Sequence, residues 1–233
     1  SMLDQHRTLF FTFGGVPLRN TQVNSGGASQ HEVGLWLRRL GAAGVRLVNV
    51  SPIRSDFVTT AGAVEWIPIR PNTDAAFMLG LAHTLVAENR HDPAFLASHC
   101  TGFERFRAYL MGESDGVPKS AEWAARICDT SAEVIADLAR RLAANRSMIA
   151  ASWSLQRADH GEQPFWLTMT LAAMLGQIGL PGGGFALGYG SVNAEGADAH
   201  AFSGPVLPQG TNAVKASVPV ARIADMLLDP GGT

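Results

Sequence analysis

The stretch that decides the fold class is Thr8-Leu9-Phe10-Phe11-Thr12-Phe13, which runs directly into Gly14-Gly15. Apolar and β-branched residues fill it without polar alternation, and such a continuous run is typical of a strand buried on both faces. The two glycines are typical of a tight turn. The stretch therefore predicts a buried strand that ends at Gly14.

Strand and helix patterns alternate along the chain outward from this strand. Further strands are predicted at Val45–Val50, Val64–Ile69 and Ser147–Ser152. Helices are predicted at Glu32–Ala43, Ala75–Glu88, Gln163–Gly179 and Val220–Leu228, and one more is predicted to start near Ser131 within an irregular helical region over Asp92–Arg141. This alternation predicts an α/β fold, a Rossmann-like three-layer domain with a mostly parallel sheet and helices on both faces. The domain is expected to span residues 3–190, followed by a Gly-, Ala- and Pro-rich extension over 191–233 that is partly irregular.

The composition excludes several classes of protein. Only 16% of the 233 residues are charged and the net charge is −2, while 46% are hydrophobic. These values exclude intrinsic disorder, and they give no electrostatic footprint for nucleic acid or an anionic membrane. Two cysteines cannot build a disulfide scaffold, so both are expected to be reduced thiols. The shortage of charge suggests that part of the surface normally faces something other than water.

No membrane insertion and no secretory signal are expected. The apolar stretch Leu167–Leu180 is shorter than the roughly 20 residues that a membrane helix needs, so it is expected to be a buried helix. The first residues, Ser1–Asp4, lack the basic start and the apolar core of a secretory signal.

Loops rich in glycine, proline and short polar residues follow the four predicted strands. Because parallel strands with right-handed crossovers end at one edge of the sheet, these loops should meet there. Glycine lets a phosphate approach the backbone, arginine pairs with anions, and aspartate accepts hydrogen bonds from a ribose or a guanine edge. The loops are Gly14–Thr21, Ser51–Asp56, Arg70–Asp74 and Trp153–Arg157, the last followed by His160–Gln163.

The common signatures of nucleotide enzymes and hydrolases are absent. The turn Gly14–Arg19 does not follow the G-x-G-x-x-G pattern, and the sequence contains no Walker A, H-E-x-x-H or G-x-S-x-G motif. From the residues alone, the prediction is an α/β domain of the nucleotide-binding type. A non-catalytic nucleotide-binding or interaction module remains an alternative, as does a domain that binds NAD or thiamine diphosphate.

Longer motifs carry a more specific signal. They are Ala151–Arg157, His160–Trp166 and Leu171–Phe185, extended by Gly14–Asn20, Trp66–Asp74 and Leu110–Gly116. Together they resemble the molybdopterin oxidoreductases of the dimethyl sulfoxide reductase family, and within it the biotin sulfoxide and trimethylamine N-oxide reductase subfamilies. The similarity extends over nearly all of the chain up to about Asn193.

The resemblance implies a cofactor and a reaction. Enzymes of this family hold one molybdenum between two pterin guanine dinucleotides, the bis(molybdopterin guanine dinucleotide) cofactor, and reduce S-oxides or N-oxides by oxygen-atom transfer. The chain resembles one of their two dinucleotide-binding domains. By motif match, Arg19 and Asn20 lie where the family contacts a phosphate or ribose. Ser51 and Pro52 match the loop after the second strand, and Asn72, Thr73 and Asp74 match the loop that meets the guanine nucleotide. Trp153, Ser154 and Arg157 lie where the family's loop reaches the pterin and pyrophosphate. These are the candidate cofactor-binding residues.

The departures from the family limit these assignments. In the resembled enzymes the metal-ligating serine lies before this segment and a second dinucleotide domain lies after it, so no catalytic residue and no metal ligand is assigned here. The chain is expected to be one piece of a larger reductase, inactive and without bound cofactor when alone. Its expected partners are the remaining domains of the same polypeptide and a small S-oxide or N-oxide substrate. A cytoplasmic location is expected from the biotin sulfoxide reductase subfamily and a periplasmic one from the trimethylamine N-oxide reductases.

Overall fold

A computed structural model describes Met2 and residues 8–20, 32–57 and 63–188, followed by the short stretches 204–208, 210–215, 217–219 and 222–231. The chain divides into two compact units, Ser1–Ala199 and His200–Thr233. The predicted boundary at residue 190 lies outside the described residues and stays a prediction. In the second unit the described residues include one short helix, Ile223–Leu228, within the predicted segment Val220–Leu228.

The first unit is built on a five-stranded sheet. Its strands are β1 (Thr8–Phe13), β2 (Arg46–Val50), β3 (Val64–Ile67), β4 (Arg146–Ala151) and β5 (Gly184–Leu187). Their order is β3-β2-β1-β4-β5, and every neighbouring pair is parallel. The chain winds outward from β1 to β3, then crosses back to β4, so the strand order reverses between β1 and β4. The sheet is therefore doubly wound, and within the described residues it is entirely parallel.

In the described part of this unit, seven helices connect the strands. They are α1 (Val33–Ala42), α2 (Asp74–Ala87), α3 (Pro93–His99), α4 (Phe103–Leu110), α5 (Ala121–Cys128), α6 (Ala132–Ala144) and α7 (Glu162–Met174). Side-chain caps fix several starts: Ser120 accepts a hydrogen bond from the backbone N–H of Trp123, and Ser131 accepts one from that of Glu133. The region predicted to be irregular and helical thus contains α3 to α6, and α3, α5 and α6 begin at side-chain caps. None of the helices in the described ranges has the length and apolar character needed to span a bilayer.

The helices cover both faces of the sheet, which confirms the predicted three-layer fold. On one face, Phe11 and Phe13 of β1 belong to a large core with the side chains of α2, α6 and α7. On the other face, Phe10 packs in a smaller core with Leu37 and Leu40 of α1. The whole of β1 is buried, as its continuous apolar sequence predicts.

The largest differences between the described elements and the sequence prediction are at two element ends and one strand, while other ends differ by one residue. The third strand ends at Ile67 instead of Ile69, because Pro68 has no N–H with which to continue the ladder. The last helix of the domain ends at Met174, just before Gly176 takes a left-handed conformation with φ of +63°. Strand β5 was not predicted, because it has only four residues and begins at a glycine.

Candidate functional site

The site lies at the carboxyl edge of the sheet, where the loops after β1 and β4 meet at the reversal of strand order. Gly14 follows β1 with φ of +78°, and a Cβ at this position would lie 3.0 Å from the Cβ of Ser152 and 3.4 Å from Oγ of Ser154. Ser154 Oγ donates a hydrogen bond to Ser152 Oγ at 3.2 Å. Glycine is needed here because the two loops are in contact. The crevice at such a reversal is where ligands bind to open α/β sheets.

The loops after β1 and β2 are joined through Asp56, a residue that sequence reasoning did not select. The Asp56 carbonyl accepts a hydrogen bond from the backbone N–H of Val16 at 2.7 Å, and a Cβ on Gly15 would overlap this carbonyl. Its carboxylate accepts a hydrogen bond from Arg19 Nη2 at 2.6 Å and one from Ser51 Oγ at 3.4 Å. The only available signal was that Asp56 is the acidic residue of the loop that begins with Ser51.

The predicted residues of the loops after β1 and β2 differ in how far their side chains are exposed to a ligand. The Arg19 side chain is 62% exposed, so most of its N–H groups remain open to an anion beyond its ion pair with Asp56. Asn20 is half-buried, and Pro52 is exposed. Ser51 is buried, and its hydroxyl accepts a hydrogen bond from the backbone N–H of Ile53. Ser51 therefore stabilises the conformation of its own loop.

The third loop holds a buried carboxyl group at the first residue of α2. Asp74 is 5% exposed, and its Oδ1 atom has no hydrogen-bond partner. Burial raises the pKa of Asp74 to about 6, and a hydrogen bond from its own backbone partly offsets this. Thr73 donates its hydroxyl proton to the Arg70 carbonyl at 2.6 Å, and Asn72 takes a left-handed conformation with φ of +63°.

The strand before this third loop, β3, is connected to the loop after β2 by a side-chain hydrogen bond. Trp66 of β3 donates its indole N–H to the Ser51 carbonyl at 2.9 Å. On its other side the loop is fixed to α5, because the Arg70 N–H donates to the Cys128 carbonyl and Cys128 Sγ donates to the Thr73 carbonyl. Burial raises the pKa of the Cys128 thiol, as expected for a reduced core cysteine.

The fourth loop forms a 3-10 turn over Trp153–Arg157, and its predicted residues are exposed. The Trp153 indole lies against Gly188, the residue that follows β5, and a Cβ there would overlap the ring. Gly188 has φ of +87° and donates its N–H to the Ala151 carbonyl at 2.9 Å. Gly188 was missed because its position depends on β5.

The structure therefore brings four of the five strand-end loops into direct contact and links the one after β3 through Trp66. Within the described ranges, no group of three or more His, Cys, Asp or Glu residues could hold a metal ion. The site offers instead a buried carboxyl at Asp74, whose Oδ1 atom has no hydrogen-bond partner, and exposed guanidinium groups at Arg19 and Arg157. These groups fit a nucleotide, because the carboxyl can accept hydrogen bonds from N–H groups of a base edge and the guanidinium groups can bind anionic phosphates.

A doubly wound parallel sheet with interlocked polar loops at its strand reversal defines an α/β domain of the kind that binds ligands at that reversal. Comparison with known proteins then gives the family. The sequence model described as "Molybdopterin oxidoreductase" matches residues 30–225, and the chain belongs to this family.

Several curated relatives support this membership. The chain is 48% identical over 228 residues to biotin sulfoxide reductase of Cereibacter sphaeroides, a match that covers 98% of this chain and 30% of the relative. It is also 48% identical over 208 residues to dimethyl sulfoxide/trimethylamine N-oxide reductase of the same organism, covering 84% of this chain and 25% of that protein. Trimethylamine-N-oxide reductase of Haemophilus influenzae is 43% identical, with the same coverage. The chain thus spans less than a third of the length of these relatives.

Among solved structures, acetylene hydratase from Pelobacter acetylenicus shares the fold. The TM-score is 0.58 at 22% identity, over 76% of this chain and 22% of that protein. The predicted resemblance to the molybdopterin oxidoreductases is confirmed.

Proposed function

We propose that this chain is the domain of a molybdenum S-oxide or N-oxide reductase that binds one guanine dinucleotide of a bis(molybdopterin guanine dinucleotide) cofactor. One observation carries the proposal: the strand-end loops interlock at the strand reversal and leave Asp74 buried without a partner for Oδ1. Family membership and 48% identity to a biotin sulfoxide reductase support the choice of cofactor and substrate class.

Asp74 is the residue proposed to recognise the guanine base. A guanine edge carries an N1–H and an exocyclic amino group side by side, and a carboxylate can accept hydrogen bonds from both. The cost of burying Asp74, visible in its raised pKa, falls when such donors reach Oδ1. Asn72 and Thr73 shape the turn that presents Asp74 at the start of α2.

The remaining predicted residues are proposed to bind the phosphates and the pterin. Arg157 is exposed and makes no ion pair within the described part of the chain, so its guanidinium is available for a pyrophosphate. Arg19, held by Asp56 at 2.6 Å, is oriented for a second phosphate or a ribose together with Asn20. Trp153, positioned by Gly188, offers a flat apolar surface beside Ser154.

The domain contributes binding and orientation, not acid–base chemistry. When bound, the molybdenum centre supplies the oxygen-atom transfer that reduces an S-oxide or N-oxide. The residues of this chain hold one dinucleotide, and the remaining domains of the polypeptide are proposed to supply the second dinucleotide site and the metal ligand. A cytoplasmic location belongs to the same proposal, because it follows from the similarity to biotin sulfoxide reductase.

The proposal is tested in the protein made from the complete reading frame. Arg157→Ala should lower the molybdenum retained after purification, because a buried pyrophosphate would lose a charge-assisted hydrogen bond. Arg105→Ala is the matched control: Arg105 is an exposed arginine on α4 that forms no ion pair within the described residues. Molybdenum per polypeptide is measured by mass spectrometry of the metal. Equal molybdenum in both variants would contradict the role of Arg157, and a guanine nucleotide without molybdenum in the unmodified protein would favour a non-catalytic nucleotide-binding module.

A further inference from the structure

A second candidate site lies at the amino-terminal edge of the sheet. It is opposite the strand-end loops that are proposed to bind the cofactor, here called the cofactor loops. A cavity of about 620 Å³ opens there, and four of its lining residues are arginines. Arg46 is the first residue of β2 and Arg90 follows α2. Arg140 and Arg141 lie near the end of α6, shortly before β4. Four of the 18 basic residues of the chain are thus gathered around one cavity.

Carboxylates hold three of these guanidinium groups in place. Glu88 Oε2 lies 2.8 Å from Arg90 Nε, and Glu88 Oε1 lies 2.7 Å from Arg140 Nη2. Hydrogen bonds from Arg140, then from Arg90, lower the pKa of Glu88 to about 2, so it is ionised at neutral pH. Arg141 is fixed by Glu65 at 2.6 Å and by Asp137 at 3.5 Å. These pairs fix the arginine positions before any ligand arrives.

The fourth arginine is not compensated. Arg46 is exposed, and its side chain makes no hydrogen bond or ion pair within the described residues. Both Glu88 oxygens are occupied by guanidinium groups, while Arg90 uses only Nε in its ion pair with Glu88. The cavity therefore combines one uncompensated positive charge with several unused N–H donors on arginines that are already oriented. This combination favours an oxyanion that accepts hydrogen bonds from several directions.

We propose that this arginine cavity binds the phosphate group of a small anionic ligand, at a site separate from the cofactor loops. A tetrahedral phosphate can accept hydrogen bonds from Arg46 and from the neighbouring guanidinium groups at once, whereas a planar carboxylate is matched by a single arginine fork. The near-neutral chain as a whole gives no reason to expect a polymer such as nucleic acid at this cavity.

The test is a calorimetric titration of the full-length protein with inorganic phosphate. Saturable binding is expected, with the dissociation constant raised at least tenfold in Arg46→Ala and by less in Arg46→Lys, which keeps the charge but loses the fork. Arg105→Ala is the control and should bind phosphate as the unmodified protein does. Because Arg46 is exposed, neither variant should alter folding, which circular dichroism checks.

Three outcomes would overturn the proposal. They are the absence of saturable phosphate binding, an equal loss of binding in Arg46→Ala and Arg105→Ala, and binding of succinate as tight as that of phosphate. The last outcome would assign the cavity to carboxylates. Binding should also weaken as sodium chloride is added, because the charges involved lie close to solvent.

Discussion

Replacing Asp74 with asparagine should stabilise the chain at neutral pH while weakening the proposed guanine site. Burial raises the pKa of Asp74 from its ordinary value of 3.8 to about 6. Because the folded state favours the protonated carboxyl, its contribution to stability is fully present below pH 3.8. That contribution is lost as the pH rises through about 6. The difference corresponds to about 3 kcal/mol of unfolding free energy above that range.

Asparagine keeps the shape of the side chain and removes the charge, so it avoids this cost. Asp74 is the first residue of α2, where a carboxylate gains about 0.3–1 kcal/mol from the helix N-terminus, and the substitution forfeits that gain. We therefore expect Asp74→Asn to raise the unfolding free energy by about 2 kcal/mol at pH 8 and to leave it nearly unchanged at pH 4.

The assay is urea unfolding of the 233-residue chain, followed by circular dichroism across this pH range. Asp129→Asn is the matched control, because Asp129 is exposed and its left-handed backbone is one that asparagine tolerates. A gain that does not depend on pH, or a loss of stability at pH 8, would refute the role of burial. In the full-length protein the same substitution should lower guanine nucleotide content.

Three further predictions concern the glycines of the site and one ion pair. Gly15→Ala should lower the free energy of unfolding by about 2–4 kcal/mol, because a Cβ there overlaps the Asp56 carbonyl. The control is Gly44→Ala, where φ is similar but the space is open. It should cost only about 1 kcal/mol in the same urea unfolding assay. Gly188→Ala should displace the Trp153 indole and so lower cofactor retention in the full-length protein. Adding Trp153→Ala to this variant should not lower cofactor retention further. Additive losses from the two substitutions would contradict the contact between Gly188 and Trp153. Arg140→Ala should raise the pKa of Glu88 from about 2 towards 4.5, as measured by carbon NMR titration. Little stability should be lost, because the pair lies near solvent. An unchanged pKa would show that the ion pair does not form.

The sequence predicted the elements with strong local patterns. Strand β1 could be predicted because its apolar and β-branched run is continuous, and β2 and β4 because they are short and largely apolar. Helix α6 could be predicted because Ser131 is a good cap for an apolar helical repeat. Strand β5 could not, because a four-residue edge strand that begins at a glycine has almost no local signal. Its place in the sheet comes from pairing with β4.

The meeting of the strand-end loops could also be predicted from the sequence, because loops that follow parallel strands meet at one edge of the sheet. The partners of the predicted residues were less accessible to sequence reasoning. Asp56 and Gly188 act through contacts with Arg19 and Trp153, which are distant in the chain and meet only in the folded domain. The arginine cavity shows the same limit, because Arg46 is brought beside α6 only by the packing of the sheet.

The most direct test of the cofactor proposal is the guanine-to-molybdenum ratio of the protein expressed from the complete reading frame. Guanine nucleotides released by acid are measured by chromatography and molybdenum by mass spectrometry. Two guanine nucleotides per molybdenum are expected, with a fall in both when Asp74 or Arg157 is replaced. Molybdenum without guanine, or a purified protein that contains no molybdenum although the cells were supplied with molybdate, would contradict the proposed cofactor.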